Sequence, residues 1–211
     1  MPDTALMTIL EQRLASLKFL PNYGQSTNGQ AGGQIRVQTS RAPLWHMKIN
    51  VPVAYREEAQ AIKALIGSMG GSVGSFYGWD TDRPYPLADP TGAAIAGSTV
   101  QIKSVGSNGI SLALKGLPVG YVLTRGDYVG FTYSTTKKAL HQVVAATVTA
   151  DGYGETTEFE VHPAIRQGAA ADDAVSLSKP VAEFRIVPGT YDPETVGLNS
   201  RLSLEAMQVV T

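Results

Sequence analysis

Two stretches at opposite ends of the chain share one strict pattern, and nothing else in the sequence narrows the fold so far. Trp45, Met47, Ile49 and Val51 alternate with His46, Lys48 and Asn50, while Leu202, Leu204 and Ala206 alternate with Arg201, Ser203 and Glu205. A period of two places successive side chains on opposite faces, so each stretch reads as a strand with one face in a core and the other in water. Ile35, Val37 and Thr39, set between Arg36 and Gln38, read the same way. The late strands resemble these early ones more than anything between them, which predicts an outer α+β domain built from both ends of the chain.

What lies between changes texture twice. Tyr55, Ala59, Ile62, Leu65 and Ile66 fall on one helical face, opposite Arg56, Glu57, Gln60 and Lys63. The stretch GSMGGSVGS ends that helix, because closely spaced glycines favour turns, and SFYGWD resumes as a strand. After Pro84 and Pro86, residues 87–180 carry short alternating strands at regular spacing. Turn signals at Ser107-Asn108-Gly109, Arg125-Gly126 and Asp151-Gly152 separate them, as in a small all-β barrel or sandwich. The expected fold class is therefore mainly β (α+β). A sandwich-like outer domain with one short helix, residues 1–86 and 181–211, is interrupted by an inserted β-barrel domain at 87–180. At the N-terminus Leu6, Ile9, Leu10, Leu14 and Leu17 keep helical spacing between a capping Asp3 and Pro21, predicting an amphipathic helix. Residues 22–34 are polar and glycine-rich and read as a loop.

The sequence carries few groups suited to chemistry. The net charge of −1 gives no broad basic field for nucleic acid or anionic lipid, and the absence of cysteine removes disulfides, thiol catalysis and thiolate metal sites. His46, His141 and His162 are separated beyond metal-ligand spacing, with no HExxH or HxH. There is no GxSxG elbow, and GSMGGSVGS follows a helix and lacks the Lys-Ser/Thr of a phosphate loop. Asp172 and Asp173 point to opposite faces of any strand, and Asp80 and Asp82 sit in a turn-rich junction. The expectation is a non-enzyme with no catalytic, cofactor or metal residues. Asp3, Glu11 and Arg13 break the apolar run expected of a signal peptide, and no uncharged stretch is long enough to span a membrane. Trp79 and Tyr77, flanking Gly78, are interface candidates. So are Leu6, Ile9, Leu10 and Leu14, should the N-terminal helix dock on a neighbouring chain.

The order of several weak motifs supplies a resemblance. Trp45, Pro52, Glu57-Glu58-Ala59, Leu65, Gly70-Gly71, Phe76 and Asp80 follow one another from 45 to 80. Then come Gly109-Ile110-Ser111-Leu112-Ala113-Leu114, Leu123-Thr124-Arg125-Gly126-Asp127, Ala150-Asp151-Gly152-Tyr153-Gly154 and His162-Pro163-Ala164-Ile165-Arg166. In this order, over roughly 35–210, the chain resembles the distal tail proteins of long-tailed bacteriophages and related gene-transfer particles. The resemblance implies a structural virion protein at the tail tip, assembled in the bacterial host cytoplasm. Six copies of the outer domain would form a ring, a belt that lines the DNA exit channel. Its partners would be the tail tube protein, the baseplate hub protein, and a tail fibre or receptor-binding protein, with DNA met only in transit. A different expectation, from the aromatic residues alone, is a carbohydrate-binding β module in which Trp79 and Tyr77 stack on host-surface glycans.

Overall fold

The computed structural model describes residues 2–12, 16–29, 35–134, 136–196 and 199–210. In chain order the elements are α1 (Leu6–Glu11), β1 (Ser16–Asn22), β2 (Gln25–Gly29), β3 (Ile35–Thr39), β4 (Leu44–Tyr55), α2 (Arg56–Ser68) and β5 (Phe76–Gly78). There follow β6 (Gln101–Val105), β7 (Ser111–Lys115), β8 (Val122–Thr124), β9 (Tyr128–Tyr133), β10 (Lys137–Val143), β11 (Thr147–Thr149), β12 (Phe159–His162) and β13 (Val175–Ser176). The last are β14 (Ala182–Ile186), β15 (Asp192–Val196) and β16 (Asn199–Gln208). The fold is mainly β.

The two alternating stretches become neighbouring antiparallel strands. β4 and β16 pair through Leu204↔Ile49 and Ala206↔Met47, at the centre of a sheet ordered β1-β4-β16-β14-β5, with β15 also paired to β16. Their apolar faces meet α1 and α2. Leu6, Met7, Leu10, Ile62, Trp45, Met47, Ile49, Phe76, Phe184 and Leu204 share one buried cluster. Each fully buried Leu or Ile side chain contributes about 1.5–3 kcal/mol relative to exposure, so this shared core binds the two chain ends to each other. In α2, Ala59, Ile62 and Ile66 face inward as predicted, whereas Tyr55 sits before the helix and is exposed. Gly70 and Gly71, at φ 70° and 64°, end the helix, the Gly71 amide donating to the Ile66 carbonyl at 2.9 Å.

The N-terminal helix is shorter than its leucine spacing predicts. It stops at Glu11; Leu17 and Pro21 belong to β1, and Leu14 lies outside the described residues. The segment SLKFL satisfies both a helical and a two-residue period. The strand wins because it pairs along seven positions of β4, from Ser16↔Asn50 to Asn22↔Leu44, while placing Phe19 in the core. A six-residue helix has little stability of its own. Asp3 supports this one, its Oδ1 accepting from the Ala5 and Leu6 amides at 2.9 and 2.7 Å. Of the expected loop at 22–34, Gln25–Gly29 instead forms β2 and pairs with β3, while residues 30–34 lie outside the described residues.

The intervening residues form a second sheet, ordered β13-β9-β10-β12-β7-β6. Ile102 donates to Asp173 at 3.0 Å and Val175 to Val100 at 2.9 Å, joining the first strand to the last so that the barrel nearly closes. Ile102, Leu112, Leu114, Leu123, Val129, Phe131 and Val161 fill it. The pair β8–β11 adds a small separate sheet.

Barrel and sheet meet at an aromatic seam. Trp45 is 1% exposed; its indole N–H donates to the Leu140 carbonyl of β10 at 2.7 Å, and its ring stacks on Phe19 at 5.1 Å. Tyr128 of β9 lies edge-on to both rings and donates its hydroxyl to Asp80 at 2.8 Å. Asp127, in the Arg125-Gly126-Asp127 turn, is fully buried. Its carboxylate accepts from the Thr124 amide at 2.7 Å, the Leu87 amide at 3.0 Å and the Arg83 guanidinium at 3.1 Å. One side chain thus shapes the turn and holds the strap that enters the barrel. Asp127→Ala strands these donors and is expected to cost about 2–4 kcal/mol, read as a lower urea midpoint. Arg125→Ala, whose guanidinium only reaches the exposed Val144 carbonyl, should move the midpoint far less.

Candidate assembly surface

The outward face of the first sheet has an ordered distribution of charge. Register places Lys18 of β1 beside Lys48 of β4, and Lys48 beside Glu205 of β16. Farther across, Asp192 of β15 lies opposite Ser203 and Glu194 opposite Arg201. Lys48 bonds Glu205 at 2.8 Å, and His46 approaches the same carboxylate at 3.4 Å. The hydrogen bond from Lys48 holds the Glu205 carboxyl below its ordinary pKa. Lys18, Arg36, Asp192 and Glu194 have no ion-pair partner among the described residues. The sheet therefore carries an unpaired cation at β1 and unpaired carboxylates at β15, with the exposed Arg201 of β16 and Arg185 of β14 on the β15 side.

The sequence carries that polarity in compact form. Residues 12–55 contain five cations, Arg13, Lys18, Arg36, Arg41 and Lys48, and no Asp or Glu. The other segments outside the barrel, 1–11, 56–86 and 181–211, hold ten acidic residues against five basic ones. A net charge of −1 hides this division.

At the basic side β1 leads into a two-stranded arm, β2–β3, in which all ten residues are exposed. Its register puts Thr27, Val37, Ile35 and Thr39 on one face and Ser26, Asn28, Arg36 and Gln38 on the other. Ile35 and Val37 are 73% and 53% exposed. The alternation is thus that of a one-sided strand whose Ile35–Val37 face is left exposed by the described residues. The root of the arm is fixed. The Ser40 amide donates to the Gly24 carbonyl at 3.2 Å, and Arg41 donates to the Asn22 side chain at 3.0 Å. Gly24 stands at φ 57°, and a Cβ there would lie 2.6 Å from the Arg41 side chain, so only glycine suits this turn.

The residues singled out from sequence fall elsewhere. Leu6 and Leu10 are fully buried and Ile9 is half-buried against the same cluster, so α1 spends its apolar face on its own core. Leu14 is outside the described residues. Trp79 is 7% exposed, with the Lys179 ammonium 5.3 Å from its ring, and Tyr77 is half-buried in β5 opposite Glu183. The two do not form an exposed aromatic platform. Prolines stand in two edge strands of this sheet, Pro21 of β1 and Pro193 of β15. They limit backbone pairing there and leave side chains to make contacts.

No three His, Asp or Glu side chains converge as a metal site among the described residues, and no helix among them is long and apolar enough to cross a membrane. His141 is buried, stacked on Phe131 at 5.2 Å, with Nδ1 2.7 Å from the Pro163 carbonyl. Nδ1 therefore carries the proton, and Nε2 faces no partner among the described residues. Burial pushes the His141 pKa down to about 4, and burial also lowers that of His162. The chain matches no protein-family model and no curated protein.

The buried imidazole makes stability depend on pH. Between pH 6.5 and 4 the unfolded chain binds a proton at His141 that the folded chain refuses, so stability is full above 6.5 and falls as pH drops toward 4. Urea unfolding across this window should show the decline, by a few kcal/mol at most (about 1.4 per pKa unit). His141→Gln should flatten the curve relative to wild type.

Proposed function

We propose that this protein is a structural subunit of a virion, six copies of which close a ring at the distal end of the tail tube of a long-tailed phage or related particle. The ring joins tube to baseplate hub and to fibres or receptor-binding proteins, and DNA leaves through its lumen. The observation that carries this reading is the arm. A two-stranded hairpin is marginal in water, and one exposing Ile35 and Val37 gains stability when a neighbour covers that face. The barrel nearly closes on itself and leaves few strand edges, whereas the first sheet ends in β1 and its arm on one side. Self-association therefore falls to the sheet, and the barrel is free to face outward. The ordered motifs from Trp45 to Arg166 support the same reading through their resemblance to distal tail proteins.

A glycan-binding module on Trp79 and Tyr77 has less support, since Trp79 is buried and overlaid by Lys179. Sedimentation velocity of the pure protein, joined to a glycan array, separates the readings. The expected result is a hexamer indifferent to sugars; a monomer that binds them would reverse the assignment. In particles lacking this chain, negative-stain microscopy should show tubes without tips.

A further inference from the structure

We infer that the contact between copies is head-to-tail, with the basic β1–arm side of one subunit seated on the acidic β15 side of the next. This rests on the ring reading above and names the surfaces it uses.

Three observations carry it. The first is charge: the segment 12–55 holds five cations and no acidic residue, and four of the acids outside the barrel, Glu183, Asp192, Glu194 and Glu205, lie on β14, β15 and β16 of the same sheet. Within the chain, Lys48 takes Glu205, but Lys18 lies opposite Lys48 and no carboxylate among the described residues reaches it. Like charges directly opposite on a sheet are unfavourable, and an acid supplied from outside relieves the pair. The second is position. β1 and β15 lie on opposite sides of the central pair β4–β16, so the two surfaces are different patches of one subunit. A contact between unlike patches propagates in one direction and closes into a ring when the rotation permits, whereas a contact between like patches stops at a dimer. The third is the arm, which extends from the basic side with its Ile35–Val37 face uncovered. Asp192 and Glu194, both exposed and unpaired among the described residues, are the carboxylates offered by β15. Pro21 and Pro193 interrupt the two edges, so ion pairs and the arm, more than a continuous backbone ladder, make the contact.

A charge-swap experiment tests the assignment. Asp192→Lys with Glu194→Lys, and separately Lys18→Glu with Arg36→Glu, are introduced into the full chain and followed by sedimentation velocity over a concentration series. Each pair alone should weaken association by about 100-fold. An equimolar mixture of the two variants should recover complexes, because each has one native-type and one reversed surface and the reversed surfaces match each other. Unchanged melting temperatures show that the subunits remain folded, and Ile35→Glu with Val37→Glu should also weaken association. A wild-type hexamer that both charge reversals leave intact overturns this inference while the ring stands. If Lys18→Glu/Arg36→Glu instead loses only retention on a duplex-DNA column, the basic side belongs to a polyanion and the inference is likewise overturned. A wild-type chain that stays monomeric at all concentrations removes both this contact and the ring.

Discussion

The indole of Trp45 is the point through which the structure is tied together. It belongs to the alternation that builds β4, so its ring is delivered to the core of the first sheet, where Phe19 stacks on it. Its single donor then reaches out of that core to the Leu140 carbonyl in the barrel. A buried N–H left without an acceptor costs on the order of 1–3 kcal/mol, so the packing that buries this ring also requires the barrel to be seated. Tyr128 repeats the logic in the other direction, sending its ring from the barrel into the first core and its hydroxyl to Asp80. The Asp80 carboxyl is pushed above its ordinary pKa, chiefly by burial, and the Tyr128 hydroxyl is pushed up by burial and by that same carboxylate. The Tyr128 hydroxyl thus stays protonated and donates to Asp80, which makes the seam a defined joint.

The seam is not the barrel's only attachment to the first sheet. The chain enters through the Asp80–Leu87 segment, which Asp127 grips through Arg83 and the Leu87 amide, and leaves at Lys179, whose ammonium reaches Glu11 and overlies Trp79. Entry and exit are both fastened to residues of the other body. The barrel is therefore joined to the sheet at both chain crossings as well as through the buried aromatic seam.

The helix at the N-terminus and the strand after it show how far a pattern can be read. Leucine spacing marked the right apolar residues, and Leu6 and Leu10 are indeed among the most buried in the chain. It could not say where the helix stops, because Leu17 and Phe19 satisfy a strand equally well. Only the presence of β4, with seven positions open for pairing, decides the matter. Trp79 is a similar case. An aromatic beside a glycine in a short strand is equally suited to a surface platform or a core, and the core reading holds because Lys179, a hundred residues later, closes over it.

Local chemistry was enough for the mainly β class, the inward faces of β4, α2 and β16, the turns at Asn108-Gly109 and Asp151-Gly152, and the division of charge between 12–55 and the rest. Each of these depends on residues within a few positions of one another, or on a simple count along the chain. The partners of the strands, the closing of the barrel, the burial of Trp79 and the exposure of Ile35 and Val37 were decided by the tertiary structure. Alternation reports that a strand has two unlike faces; it carries no information about whether the same chain has anything left to cover the apolar one. For β4 and β16 it does, in α1 and α2. For the arm no described residue does, and two equally regular patterns hide that difference: one face is buried and the other is left exposed at Ile35 and Val37.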